Sequence, residues 1–187
     1  TAEKGLVVLD CIAEGKAGHA AREEGVNAIH EAIKDIQWFQ SYQFPTVSST
    51  LGPIKMSVTV IQAGKQHNVI PAECHYTVDV RVTDVYSLEE VLATVQQHIK
   101  SQVTPRSMRL RSSGIAEDHA LVKAAKKLGI ACYGSPTTSD QALIPASSIK
   151  MGPGDSARSH SANEFIYVHE ISEGIHTYIQ LLNEIVL

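Results

Sequence analysis

The sequence predicts an α+β fold in which a four-stranded antiparallel sheet carries two helices on one face. Residues 72–82 alternate strictly between apolar and polar side chains, which is typical of a strand with one buried face. Strand-like and helix-like segments also follow the order β-α-β-β-α-β over residues 1–113. Residues 114–187 depart from this order, and we expect them to be the last part of a larger α/β domain.

The first domain, residues 1–113, combines four predicted strands with two helices. The predicted strands are 6–14, 54–63, 72–82 and 107–112. Asn27 is placed to cap the first helix, whose apolar residues recur at helical spacing from Ala28 to Ile36. The second helix begins at the capping box Ser87-Leu-Glu-Glu90, a Ser followed three residues later by Glu. Arg81 is then predicted on the polar strand face that looks away from both helices.

Residues 114–187 contain too little regular structure for a core of their own. Helices are predicted at 118–128 and near 168–186, and short strands at 130–133 and 149–151. We therefore expect this segment to belong to an α/β domain whose earlier strands are not in this chain. The chain also starts without Met, at Thr1, so we expect that it begins inside a longer protein or has been processed.

Composition excludes several classes of protein. The chain has 187 residues, of which 43% are hydrophobic and 19% charged, as in ordinary globular proteins. Its formal net charge of −4 is interspersed along the chain and argues against a nucleic-acid partner, which usually meets a basic face. Its apolar runs are only strand-length, so we expect no membrane span. Three widely spaced cysteines predict no disulfide framework and a reducing cytoplasm.

Three short motifs resemble known signatures, but their surroundings do not fit. Gly152-Pro-Gly-Asp-Ser-Ala157 matches G-x-G-x-x-A, yet no apolar helical stripe follows it, as dinucleotide binding requires. Gly154-Asp-Ser-Ala-Arg158 lacks the second Gly of a nucleophile elbow. His169-Glu-Ile-Ser-Glu173 lacks the second His of the zinc-binding H-E-x-x-H motif. None of the three motifs therefore predicts the chemistry of its signature in this chain.

Five blocks of sequence together resemble one enzyme family. The blocks are Gly18–Ile29, Asn68–Pro71, Asp79–Arg81, Thr138–Asp140 and Gly152–Glu164. In this order and spacing they are similar to the zinc metallohydrolases that include acetylornithine deacetylase, succinyl-diaminopimelate desuccinylase, aminoacylase and glutamate carboxypeptidase. The resemblance covers essentially the whole chain, and it is closest to the acetylornithine deacetylases.

The resemblance implies a zinc-binding catalytic domain interrupted by a smaller lid and dimerisation domain. Residues 1–113 match the lid, and residues 114–187 match the C-terminal part of the catalytic domain. In the family, the remaining zinc ligands and a glutamate base precede the lid, so the resemblance implies that this segment is missing here. We therefore expect two zinc ions in the intact enzyme, and no tight zinc binding by this chain alone.

The resemblance also implies roles for individual residues. His160 is the implied zinc ligand, and His19 the implied catalytic residue, reaching into the site of the partner subunit. The implied substrate-binding residues are Asn68, Arg81, Gly152 and Gly154. Side-chain chemistry agrees, because imidazole binds zinc or donates to an oxyanion, and guanidinium forms a bidentate pair with a carboxylate. The alternative for Arg81 is a surface ion pair with Asp79 or Glu73.

The predicted function is a metal-dependent amide hydrolase that removes an acyl group from an N-acyl amino acid. We expect the intact enzyme to form a homodimer through the lid, and this chain alone to be inactive. The alternative is a non-catalytic, dimeric, small-molecule-binding module, because a fold by itself does not specify catalysis. The Gly152–Glu164 block favours the enzyme, since a binding module has no need for it.

Overall fold

A computed structural model describes residues 1–22 and 24–185. Within them, the strands are β1 (Ala2–Glu3), β2 (Gly5–Glu14), β3 (Gly18–His19), β4 (Lys55–Ala63), β5 (Val69–Ile70), β6 (Glu73–Val82), β7 (Gln102–Pro105), β8 (Ser113–Gly114) and β9 (Gly134–Ser135). The α-helices are α1 (Ala28–Ser41), α2 (Leu88–His98), α3 (Ala120–Lys127) and α4 (Val168–Asn183). Short 3-10 helices span Asp140–Leu143 and Ser156–Arg158. Val186, the predicted end of the last helix, lies outside the described residues.

A four-stranded antiparallel sheet, in the order β4-β6-β2-β7, organises the first part of the chain. The long central strands β2 and β6 pair from Gly5 opposite Val82 to Glu14 opposite Glu73. Strand β4 forms one edge and carries a bulge after Val58, and the short β7 forms the other edge. The predicted α+β class and its antiparallel sheet are confirmed.

One face of this sheet is buried beneath both helices. The alternation of β6 accounts for it, because its apolar side chains are almost fully buried while its polar side chains remain partly or fully exposed. The buried residues of β6 are Cys74, Tyr76, Val78, Val80 and Val82. Leu88, Val91 and Val95 of α2 join the same core cluster, as do Ala28 and Ala32 of α1. Each Val or Leu side chain among them contributes about 1.5–3 kcal/mol when fully buried.

Both predicted helix starts are present. The side chain of Asn27 accepts a hydrogen bond from the N–H of Ile29 at 2.9 Å. Ser87 accepts from the N–H of Glu90 at 3.1 Å, and the Glu90 carboxylate accepts from the N–H of Ser87 at 2.7 Å. These contacts satisfy N–H groups that have no partner within the helix, so they define where α1 and α2 begin.

The prediction of a fourth strand at residues 107–112 is wrong, because the strand is β7. The chain enters β7 directly after α2, and a buried carboxylate explains why. Asp35 of α1 accepts hydrogen bonds from the N–H groups of Lys100 at 3.2 Å and Ser101 at 2.9 Å. It also accepts from the Ser101 hydroxyl at 2.6 Å, while Tyr76 donates to that hydroxyl oxygen at 2.9 Å.

Residues 107–112 still follow β2, but irregularly. The N–H of Arg106 donates to the carbonyl of Val8 at 2.9 Å, whereas the N–H of Leu6 donates to the carbonyl of Leu110 at 2.8 Å. Two steps along β2 therefore face four steps of the later segment, which prevents a regular ladder. Gly5 allows the close approach, because a Cβ there would lie 2.6 Å from the backbone nitrogen of Ser112.

The second part of the chain has a much smaller core. Its only sheet among the described residues has three two-residue strands, in which β9 pairs with β1 from the first part of the chain, and β1 pairs in turn with β8 at the boundary. Ala124, Ala125 and Leu181 are the buried residues where α3 meets α4. The predictions of strands at 130–133 and 149–151 are wrong, because no neighbouring strand among the described residues offers them ladder hydrogen bonds. No helix in the described part of the chain is both long and apolar enough to cross a membrane.

Candidate functional site

His19 and Asn68 lie together on a small ribbon at one end of the main sheet. In the β3–β5 pair, His19 is opposite Val69. The N–H of Ala20 donates to the carbonyl of Asn68 at 3.0 Å. Gly18 permits this fold, because a Cβ there would lie 2.6 Å from the carbonyl oxygen of Glu24. The two predicted site residues, His19 and Asn68, therefore lie next to each other on this ribbon.

The imidazole of His19 is exposed and orientated by its own loop. Its Nδ1 accepts a hydrogen bond from the N–H of Ala21 at 3.1 Å. A neutral imidazole that accepts at Nδ1 carries its proton on Nε2. Because no other described residue forms a hydrogen bond with the ring, the Nε2–H remains available as a donor to a ligand.

Arg81 lies near the opposite end of the sheet, on its open face. Its Nε donates to Oδ1 of Asp79 at 2.7 Å, and its Nη2 donates to Oδ2 at 2.9 Å. The surface ion pair considered from the sequence is therefore present in the structure. A third contact reaches the second part of the chain, where Nη1 lies 3.4 Å from the Thr138 hydroxyl. These contacts use three of the five N–H bonds of the guanidinium and leave two for a ligand.

Thr138 joins Arg81 to the junction between the two parts of the chain. Its hydroxyl donates to the carbonyl of Lys4 at 2.7 Å. A hydroxyl has one proton, so Thr138 can only accept from Arg81. The guanidinium is consequently held from one side by Asp79 and from another by the loop that follows β9.

A buried carboxylate reinforces the same junction. Glu3 is 2% exposed, and it accepts hydrogen bonds from Lys150 at 2.7 Å and from the N–H of Ser139 at 3.1 Å. The Ser139 hydroxyl donates to it as well. Burial by itself would raise the pKa of Glu3, but these hydrogen bonds and the Lys150 charge outweigh burial and lower the pKa. The carboxylate is therefore ionised at neutral pH and links both parts of the chain.

His160 lies in an exposed loop after the Gly152-Pro-Gly154 turn. Its φ of 59° makes it the only non-glycine residue with positive φ in the described part of the chain. Its N–H donates to the Glu164 carboxylate at 2.9 Å. A backbone in this sparsely populated region persists only where its surroundings hold it, and such residues collect at functional sites.

A clamp between Arg158 and Glu170 secures that loop to α4. Arg158 donates to both carboxylate oxygens of Glu170, through Nη1 at 3.0 Å and through Nη2. Its guanidinium also lies over the rings of Phe165 and Tyr167, 5.0 and 5.3 Å from their centroids. Hydrogen bonds from Arg158 and from the N–H of Tyr167 lower the pKa of Glu170.

The two glycines of the turn differ in their surroundings. Gly154 has a φ of +82°, which favours glycine, and a Cβ there would lie 3.3 Å from the side chain of Ile166. At Gly152 a Cβ would meet nothing within 4 Å. Gly154 is thus explained by its backbone conformation, whereas the surroundings of Gly152 would admit a side chain.

The zinc implied by the family resemblance does not fit this chain by itself. In residues 1–22 and 24–185, no three His, Cys, Asp or Glu side chains lie close enough to hold a metal ion. A zinc site takes three or four protein ligands, and the family resemblance implies only one in this chain, His160.

The structure therefore brings some predicted residues together and separates others. His19 and Asn68 share one ribbon, Arg81 lies near the other end of the sheet, and His160 lies in the second part of the chain. Sequence reasoning did not single out Arg158 or the pairing of Glu3 with Lys150. Glu170 carried no capping-box signature in the sequence, because Tyr167 rather than Ser or Thr stands three residues before it, yet its carboxylate accepts from the N–H of Tyr167 at 2.9 Å.

Comparison with known proteins agrees with this architecture. The chain is 26% identical to the LysW-lysine/LysW-ornithine hydrolase of Sulfurisphaera tokodaii, across 98% of this chain and 54% of that protein. It is 25% identical to the acetylornithine deacetylase of Myxococcus xanthus, across 91% of this chain and 50% of that protein. The chain thus spans about half the length of the curated relatives it matches.

Comparison with solved structures also matches this chain to about half of a longer chain. The aminopeptidase PepT from Bacillus cereus superposes with a TM-score of 0.71 at 18% identity, over 98% of this chain and 52% of that one. The family model described as the peptidase dimerisation domain of M20 proteins matches residues 1–106, which include the whole four-stranded sheet. The chain therefore belongs to the M20 peptidase dimerisation domain family.

Proposed function

We propose that the complete protein is a zinc-dependent amidohydrolase that removes an acyl group from an N-acyl amino acid and acts as a homodimer. One observation carries the proposal, namely that His19 and Asn68 lie at the opposite end of the sheet from Arg81. The β6 segment from Glu73 to Arg81 spans roughly 27 Å at about 3.4 Å per residue. One substrate cannot contact both ends within one chain, so a common site requires two copies.

Strand β4 offers a way to bring those ends together. It is a nine-residue edge strand, and exposed edges pair readily with other strands. Its side chains Val60 and Ile61 are 47% and 52% exposed. If β4 pairs antiparallel with β4 of a second copy, the Ala63 end of one chain lies beside the Lys55 end of the other. The His19 ribbon of one subunit then approaches Arg81 of its partner.

In this arrangement, each candidate site residue has a separate role. Arg81 binds the substrate carboxylate through its two remaining N–H bonds, with Asp79 and Thr138 fixing the plane of the guanidinium. His19 of the partner subunit donates its Nε2–H to the oxygen that becomes negative as the amide is attacked. Asn68 lies beside His19 and contacts the same substrate. His160 is one of the zinc ligands, and Gly152 and Gly154 line the pocket.

We also propose the domain division 1–113 and 114–187, with the second segment forming part of the catalytic domain. The exposed apolar face of α4 supports this division. Ile175, Ile179 and Leu182 are 57%, 53% and 62% exposed, although they share one helical stripe. A face of this kind requires a covering layer of further polypeptide.

Three free cysteines agree with a reducing compartment, so we propose a cytoplasmic location.

Mixing two inactive variants of the complete protein tests the proposal. His19→Ala should lose about 10²–10³ in kcat, because a donor used only in the transition state is removed. His160→Ala should lose activity through a damaged metal site. Mixed dimers should recover activity, since one of their two sites then combines an intact His160 with His19 from the other chain.

The matched control mixes His19→Ala with a chain that carries both substitutions, and no activity should return. Equally inactive mixtures, with mixed dimers demonstrated by mass spectrometry, would contradict the sharing of His19 between subunits. Normal activity of His19→Ala itself would make this residue a solvated loop histidine. A complete protein that binds N-acyl amino acids without hydrolysing them would favour the non-catalytic binding module.

A further inference from the structure

A second cation lies beside Arg81 on the open face of the sheet. Lys55 of β4 is directly opposite Arg81 of β6. Residues directly opposite in an antiparallel pair point to the same side, with their Cβ atoms about 4.5–5.5 Å apart. The next pair, Met56 opposite Val80, faces the helices, because both residues belong to the core cluster. Lys55 is exposed and forms no ion pair with any residue that the structure describes.

A third cation lies in the same corner without a carboxylate partner. Lys4 is only 7% exposed, and its Nζ donates to the carbonyl of Pro53 at 2.5 Å. None of the ion pairs among the described residues includes Lys4. Burial lowers the pKa of Lys4, and the charge of Lys55 lowers it further. Lys4 and Lys55 are therefore close enough to repel each other.

Arg81, Lys55 and Lys4 have only one carboxylate partner among the described residues. Asp79 neutralises Arg81, and no other carboxylate contacts the three cations within the described residues. Like charges on directly opposite strand positions are destabilising. An anion bound between Lys55 and Arg81 would remove that repulsion. The two free N–H bonds of Arg81 suffice for one carboxylate, so the ammonium of Lys55 remains for another.

We propose that Lys55 binds a second carboxylate of the substrate, so that the preferred substrates are N-acyl derivatives of dicarboxylic amino acids. This inference rests on the proposed function, because it takes Arg81 as the anchor of the first carboxylate. Lys55 then determines specificity rather than catalysis. A substrate with a neutral side chain leaves the ammonium in water and gains nothing from it, whereas a second carboxylate gains a charge-assisted contact.

Binding of two nearly identical anions to the complete protein tests Lys55 independently of hydrolysis. Glutarate carries two carboxylates, and its monoamide glutaramate carries one. Isothermal titration calorimetry should show glutarate binding at least about tenfold more tightly than glutaramate, as expected for one additional charge-assisted contact. Lys55→Met should abolish that difference, and Lys55→Arg should preserve most of it. Lys123→Met, at an exposed lysine on α3, is the matched control and should change neither affinity.

Kinetics supply a second measurement. For N-acetylglutamate, Lys55→Met should raise KM about ten- to hundredfold and leave kcat nearly unchanged, because the contact is present before and during reaction. For N-acetylglutamine the same variant should change KM less than about twofold. Equal losses on both substrates, or equal binding of glutarate and glutaramate by the unsubstituted protein, would overturn the role of Lys55. Lys55-dependent glutarate binding without hydrolysis of any N-acyl amino acid would instead overturn only the proposed function.

Discussion

The helices α2 and α4 are both amphipathic, yet only α2 buries its apolar side. Leu88, Val91 and Val95 of α2 are at most 1% exposed against the sheet. In α4, by contrast, Leu181 is the one buried residue, and Val168 is 80% exposed. The sheet domain is thus a complete hydrophobic unit, whereas the second part of the chain has an uncovered face. Amphipathic spacing predicts that a helix forms, but it does not specify what covers the apolar side.

Replacing an apolar residue by Asp should produce the largest difference in stability between the sheet domain and α4. Val78→Asp places a carboxylate without a partner in the sheet core, and it should destabilise the chain by roughly 4 kcal/mol or more. Ile175→Asp lies on the exposed face of α4 and should change the stability of this 187-residue chain by less than about 0.5 kcal/mol. Urea unfolding followed by circular dichroism measures both.

The same Ile175→Asp variant should strongly destabilise the longer protein, if additional polypeptide covers α4. A small effect in the longer protein as well would show that this face stays exposed to water. A large effect in the present chain would contradict the exposure of Ile175 and the contrast between the two helices.

The hydrogen bonds of Asp35 should contribute the next largest effect. Asp35→Ala leaves the N–H of Ser101 buried without its acceptor, and we expect a loss of about 2–4 kcal/mol. Asp35→Asn keeps one acceptor oxygen and should cost less. Hydrogen exchange of the Lys100 and Ser101 amides should accelerate in Asp35→Ala, while exchange in α4 stays unchanged. Unaltered exchange at Ser101 would contradict the role of Asp35 in starting β7.

The junction between the regions should show the smallest effect, as a dependence on pH. Because the pKa of Glu3 is lowered in the folded chain, its contribution is fully present above its unfolded value of about 4.5. The contribution is lost as the pH falls through the lower folded value. Amide exchange near Ser139 should therefore increase in acid before exchange in β6 does. Glu3→Gln, which cannot titrate, should remove this pH dependence, and an identical acid profile in both proteins would exclude Glu3 as its source.

Local sequence patterns predicted much of the sheet domain. Alternation in β6, the Asn27 cap and the Ser87–Glu90 capping box are local, because they depend on neighbours within a few residues. The strand expected at 107–112 failed for the opposite reason. Its alternation of Met and Leu with Arg was real, but four steps of this segment, from Arg106 to Leu110, face only two steps of β2, so no regular ladder forms.

The fold class, the five family-like blocks and the candidate site residues were all apparent from the sequence. Which of these residues lie close together became apparent only from the three-dimensional fold. It placed His19 beside Asn68 and far from Arg81, joined Arg81 to Thr138, and set Lys55 opposite Arg81. These relations depend on strand register and on contacts between residues far apart in the chain. A one-residue shift of β4 would turn Lys55 to the other face of the sheet, although no local property of the sequence would change.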